Sequence, residues 1–120
     1  MERKIVKHLA TLSVLFFFLI LALGTAEDDT PWQERDERIG AYIMTQDWVK
    51  ERLVSPGSAE FPGATKKRDH TTHLGGQKYR IESYVDSQNR MGASLRTHFT
   101  AVVEQVEKDK WTLHSLELHE

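Results

Sequence analysis

Histidine is the side chain here best suited to proton or metal chemistry near neutral pH. Five lie beyond residue 26: His70, His73, His98, His114 and His119. His70 and His73 stand in Asp69-His70-Thr71-Thr72-His73, a three-residue spacing that shares one face on a helix. Their neighbours are threonines, charged residues and Gly75-Gly76, which favour strand or loop. On a strand the two rings point to opposite faces. The pair is therefore read as a solvated edge, and no metal ligand set is assigned. His98 and His114 fall on the two last predicted strands. They meet across a sheet only in some registers, where Glu104 or Glu117 can join them. The plainer reading is a polar outer sheet face, with His119 at the chain end.

Other chemistries have less behind them. Cysteine is absent, which excludes disulfides, Cys-ligated zinc, iron–sulfur clusters and thiol nucleophiles. No serine stands in a Gly-x-Ser-x-Gly nucleophile elbow. No glycine-rich phosphate cradle occurs, so no cofactor is expected. Glu82 and Asp86 share a strand face, as ordinary polar residues do. Lys66-Lys67-Arg68 is the one basic run and reads as a solvated loop. Trp32, Trp48 and Trp111 read as core or core-margin residues.

The start of the chain carries an address. Arg3, Lys4 and Lys7 precede Leu9–Leu23, a stretch without charge, and the small residues Gly24-Thr25-Ala26 follow. Basic start, apolar middle and small-residue end make a signal peptide over 1–26. The competing reading is an uncleaved anchor, although a spanning helix needs roughly 20 apolar residues. Without Arg3, Lys4, Lys7 and Glu2, the net charge moves from −2 to −4. An acidic domain argues against non-specific nucleic-acid binding, which needs a basic surface.

The remaining elements follow from periodicity. Residues 27–30 read as a linker and 31–118 as one small domain. Thr30-Pro31-Trp32-Gln33 has the form of a helix start. Ile39, Tyr42, Ile43, Gln46, Val49 and Leu53 recur at three- and four-residue steps, which predicts an amphipathic helix over 31–53. Ser55-Pro56-Gly57 ends it. Thr65–Leu74 reads as a polar edge strand and Gly75-Gly76 as a hairpin turn. Lys78–Asp86 alternates, with Tyr79, Ile81 and Val85 on one face. Asp86–Gly92 is a turn, Ala93–Glu107 a long strand and Trp111–Leu118 the last strand. Trp111 and Leu113 differ in parity from Leu116 and Leu118, which calls for a bulge near Ser115 or burial on both faces. The expected fold is α+β: one amphipathic helix on a meandering antiparallel sheet of three to five strands.

The pattern from Ala41 to Leu118 carries a resemblance. Ser55-Pro56-Gly57-Ser58-Ala59-Glu60-Phe61-Pro62, Tyr84-Val85-Asp86-Ser87-Gln88-Asn89 and Arg96-Thr97-His98-Phe99 are its main pieces. Together they resemble a family of small bacterial domains of unknown function that follow a signal peptide, a lipoprotein signal or a membrane helix. Some members carry a zinc ribbon before that helix; this chain has neither ribbon nor lipobox. The resemblance implies the helix-then-sheet order and an extracytoplasmic setting, and it implies no activity.

Arg96 stands beside the Asp86–Gly92 turn. Its guanidinium can brace Asp86 or Asn89, or present a fork to a partner's carboxylate. The candidate binding residues are thus Arg96, Asp86, Gln88 and Asn89. The function expected is a non-enzymatic exported interaction module, periplasmic or secreted, that binds an envelope protein or itself and no nucleic acid. One alternative is a membrane-anchored accessory domain of an envelope complex, with 9–26 retained. The other is a small His-dependent metalloenzyme or hydrolase. Intact-mass measurement of the exported protein is expected to place its N-terminus at Glu27 or Thr25. A retained Met1 would establish the anchor instead.

Overall fold

The computed structural model describes residues 29–119. The chain divides after Thr30 into two compact units, and the elements below belong to the second, Pro31–Glu120. The export segment read over 1–26, and the first half of the linker, lie outside the described residues. Four strands form one antiparallel sheet in the order β1-β2-β3-β4: β1 Thr71–Gly75, β2 Lys78–Gln88, β3 Ser94–Glu107 and β4 Lys110–His119. Two helices precede the sheet, α1 at Arg38–Lys50 and α2 at Ala64–Asp69, with short 3-10 turns at Trp32–Glu34 and Pro56–Ser58. The class is α+β, and the sheet is a four-stranded meander.

Alternation sets the two faces. Tyr79, Ile81, Ser83, Val85 and Ser87 of β2 are buried, as are Thr97, Phe99, Ala101, Val103 and Gln105 of β3. The residues between them are more exposed and form the outer face. The β2–β3 register runs unbroken from Lys78↔Glu104 to Gln88↔Ser94. The parity conflict in β4 is resolved by a bulge: Val102 pairs with Ser115 but Val103 pairs with Leu113, so His114 is the extra residue. Trp111, Leu113, Leu116 and Leu118 all thereby reach the inner side and pack against the core.

The buried stripe of the helix keeps Tyr42 and Val49 of the expected one but is turned toward Ala41 and Thr45. Ala41, Tyr42, Thr45 and Val49 are buried, whereas Ile43 is 49% exposed. Thr45 tolerates burial because its hydroxyl donates to the Ala41 carbonyl (2.8 Å). That rotation brings Tyr42 over the sheet. Its ring meets Phe61 (6.2 Å) and Phe99 (6.0 Å) edge-on, and Phe61 meets Phe99 at 6.2 Å. The three rings close the gap between helix, sheet and the segment after Pro56. Edge-on pairs of this kind add about 0.5–1.5 kcal/mol each beyond their burial.

The chain from 31 to 37 is not the start of the helix. The carbonyls of Trp32 and Arg35 accept from the Gln77 side-chain amide (2.7 and 3.0 Å), and only a single 3-10 turn forms, closed by Arg35 N–H on the Trp32 carbonyl (3.3 Å). The Gln77 side-chain Oε1 accepts from Tyr79 OH (2.6 Å), and that hydroxyl accepts from Glu37 N–H (3.1 Å). Residues 33–37 have no apolar side chain to repay a helical turn, so α1 begins at Arg38. The stretch expected as a strand over 65–74 is also divided. Its first half is α2, and only Thr71–Gly75 pairs with β2. The hairpin loop falls one residue later than the Gly75-Gly76 reading: Gly75 pairs with Lys78, and Gly76 takes a positive φ of 54° at no steric cost.

Gln77 is buried and holds three groups at once. Replacing Gln77 with Ala is expected to cost about 1–3 kcal/mol, read as a lower urea midpoint with an unchanged slope.

Candidate functional site

The four candidate residues sit on and beside the β2–β3 turn. Asp86 and Arg96 are direct cross-strand partners on the outer face. The guanidinium grips the carboxylate with two bonds, Nε to Oδ1 at 2.8 Å and Nη2 to Oδ2 at 3.0 Å. It also lies over the Tyr84 ring, 3.9 Å from the centroid. Bidentate pairing and stacking together fix the fork in one orientation. The Arg96 bond holds the Asp86 carboxyl below its ordinary range, against a smaller opposing effect of desolvation. Half of the Arg96 side chain stays exposed (52%).

Asn89 builds the turn. Its side-chain oxygen accepts from Met91 and Ala93 N–H (2.9 and 3.0 Å), and its backbone N–H and carbonyl bond Ala93 and Gly92. Gly92 completes the loop at φ 82°. Arg96 does not reach Asn89; it braces Asp86. Gln88 donates its N–H to Ser58 Oγ (2.8 Å), and Ser58 donates onward to the Ser55 carbonyl (2.7 Å). Glu60 and Asp86 exchange two backbone bonds (2.8 and 3.0 Å). The Ser55–Glu60 segment therefore lines the half of β2 that short β1 does not reach.

Behind this turn, on the inner side, the sheet opens into a groove of about 630 Å³. Leu53 and Val54, from the segment that follows α1, line it together with Leu95, Leu118 and Met91. Arg52 and Arg90 stand at its rim, and Gln88 and Asn89 also border it. Sequence reasoning missed this groove. Its one legible sign was Met91, an apolar residue in an otherwise polar turn, which is 93% exposed.

His70, His98 and His119 border one pocket of about 300 Å³, and His73 and His114 lie apart from it. His70 Nδ1 is 2.8 Å from Ser83 Oγ, which is 2.7 Å from Tyr42 OH. Burial pushes the Tyr42 phenol up to about 12, with the Ser83 bond working against it. Ser83 points inward beneath α1 and is 7% exposed, so this string ties helix to sheet. His73 bonds the Gly76 carbonyl (2.6 Å) and His114 pairs with Glu104 (2.8 Å). His98 lies opposite His119, not His114. Among the described residues no three His, Asp or Glu side chains gather as a metal site.

Comparison with protein-family models, curated proteins and solved structures finds no match. The chemistry of the site therefore rests on its own geometry.

Two carboxylates are held down by arginines: Asp86 by Arg96, and Asp36, lowered to about 2, by its bond to Arg38. Their folded values lie below the ordinary 3.8. Their stabilisation is thus present above that pH and is lost as pH falls below it, for Asp36 toward about 2. Replacing Arg96 with Ala is expected to return the Asp86 titration to the ordinary carboxylate range. Carboxyl-carbon NMR across that window measures it.

Proposed function

We propose that this protein is an exported, non-enzymatic interaction module of a bacterium, acting in the periplasm or outside the cell and engaging an envelope protein. The observation that carries this reading is the Tyr84–Asp86–Arg96 cluster. An arginine fork is held ready on an open sheet face, so little conformational freedom is lost when a partner meets it. Arginine and tyrosine are the residue types that dominate contact energies in protein interfaces. The N–H groups of Arg96 not used by Asp86 suit a partner's carboxylate or backbone carbonyl. Three of the histidines, His70, His73 and His114, bond separate neighbours, which favours a binding role over an acid–base one. The export segment read in residues 1–26 supplies the location.

The test separates binding from bracing. The full chain, used as bait in envelope extracts, is expected to enrich a partner. Arg96→Ala is expected to weaken that capture by about tenfold or more. Arg96→Lys keeps the charge but loses the fork, and is expected to restore little. Near-UV circular dichroism and urea midpoints of both variants complete the experiment. If the variants unfold, Arg96 is a brace. If they fold and still capture the partner, the contact surface lies elsewhere.

A further inference from the structure

A second surface, independent of the Arg96 cluster, lies on the inner side of the same end of the sheet. We propose that the groove between the end of α1 and the β2–β3 turn takes a single-chain amphipathic carboxylate, its apolar tail in the groove and its head against Arg52 and Arg90. Size, lining and charge point the same way. The groove measures about 630 Å³, within the range of roughly 300–1,000 Å³ that holds small molecules. Leu53, Leu95 and Leu118 supply an apolar bed, and Val54 (64% exposed) and Met91 (93% exposed) stand open to solvent beside it. Exposed apolar groups gathered this way mark binding surfaces.

The charge around the groove has one sign. Arg52 and Arg90 border it, and none of the described residues that line it is acidic. Arg52 spends one N–H on the Leu116 carbonyl (2.9 Å), which anchors its head at the rim. Arg90 forms no ion pair with any described residue. Two guanidiniums beside an apolar trough select an anion with a hydrocarbon body.

The backbone argues against an extended peptide as the occupant. A peptide gains affinity by adding main-chain bonds to an open edge. At the turn those groups are spent: Gln88 N–H on Ser58, Asn89 N–H on Ala93, and Gly92 N–H on Asn89. Beside the turn the groove therefore offers side-chain contact, which a flexible tail with one charged head can use fully.

Sodium dodecanoate below its micelle concentration is the probe, added to the full chain with methyl-resolved NMR as the readout. Shifts are expected at the methyls of Leu53, Val54, Met91, Leu95 and Leu118. Dodecyltrimethylammonium, whose head charge is reversed, and acetate, which lacks the tail, are expected to leave them in place. Arg90→Glu is expected to weaken dodecanoate by about tenfold and to admit the cationic amphiphile, with the core methyls of Val49, Ile81 and Val103 unmoved. Equal response to anion and cation, or shifts confined to leucines 9–23, would overturn the proposal. So would groove shifts that follow protein concentration without any ligand, since a second copy would then fill the groove.

Discussion

The unbroken pairing of β2 with β3 is the constraint on which the rest of this structure depends. Strand side chains alternate, so one register decides every facing pair along the hairpin. In the register adopted, Asp86 faces Arg96 and Tyr84 faces His98 on the outside, while Ile81 faces Ala101 and Ser83 faces Phe99 on the inside. A slip by one residue would turn Tyr79, Ile81 and Val85 to solvent and bury the charges. The tight turn built on Asn89 and Gly92 fixes one end of that register. The arginine fork is thus a by-product of the same alternation that makes the core.

The flanking elements solve the problems that this hairpin leaves. One long strand pair exposes two edges, and open edges invite association with other chains. On the β2 side, β1 covers the first half and the Ser58–Glu60 segment covers the end. On the far side β4 carries the His114 bulge and a guanidinium on its Leu116 carbonyl. Both devices interrupt the regular edge. The inner face is closed by α1 and by Phe61, which wedges between Tyr42 and Phe99. No cysteine contributes, so this aromatic contact and the apolar face of the sheet carry the load.

Period-two patterning was easily read in the sequence, and helical phase was not. The strands followed from alternation in 78–86 and 93–107, and the β4 bulge was one of the two readings left open by the parity of Trp111 and Leu113 against Leu116 and Leu118. Tyr42 and Val49 of the helix stripe were legible, but its Thr45 side was not, because Thr45 counts as polar until its hydroxyl is seen to bond within the helix. The helix start was misplaced because its competitor, Gln77, lies far along the chain. A local signal cannot disclose a distant acceptor or donor. For the same reason the Asp86–Arg96 pair was legible as one of two options from spacing, while the groove was not legible at all. Its walls come from the end of a helix, a turn and two strands, and no short window contains them.

The Gln77 clamp also gives the domain a direction. It fixes Trp32 and Arg35 at the β1–β2 turn, so the chain joins the domain at that end. The Asn89 turn lies at the other end of β2, which from Lys78 to Gln88 extends roughly 35 Å at ~3.4 Å per residue. The clamp on one side, and the arginine fork and the groove on the other, therefore stand at opposite ends of one strand.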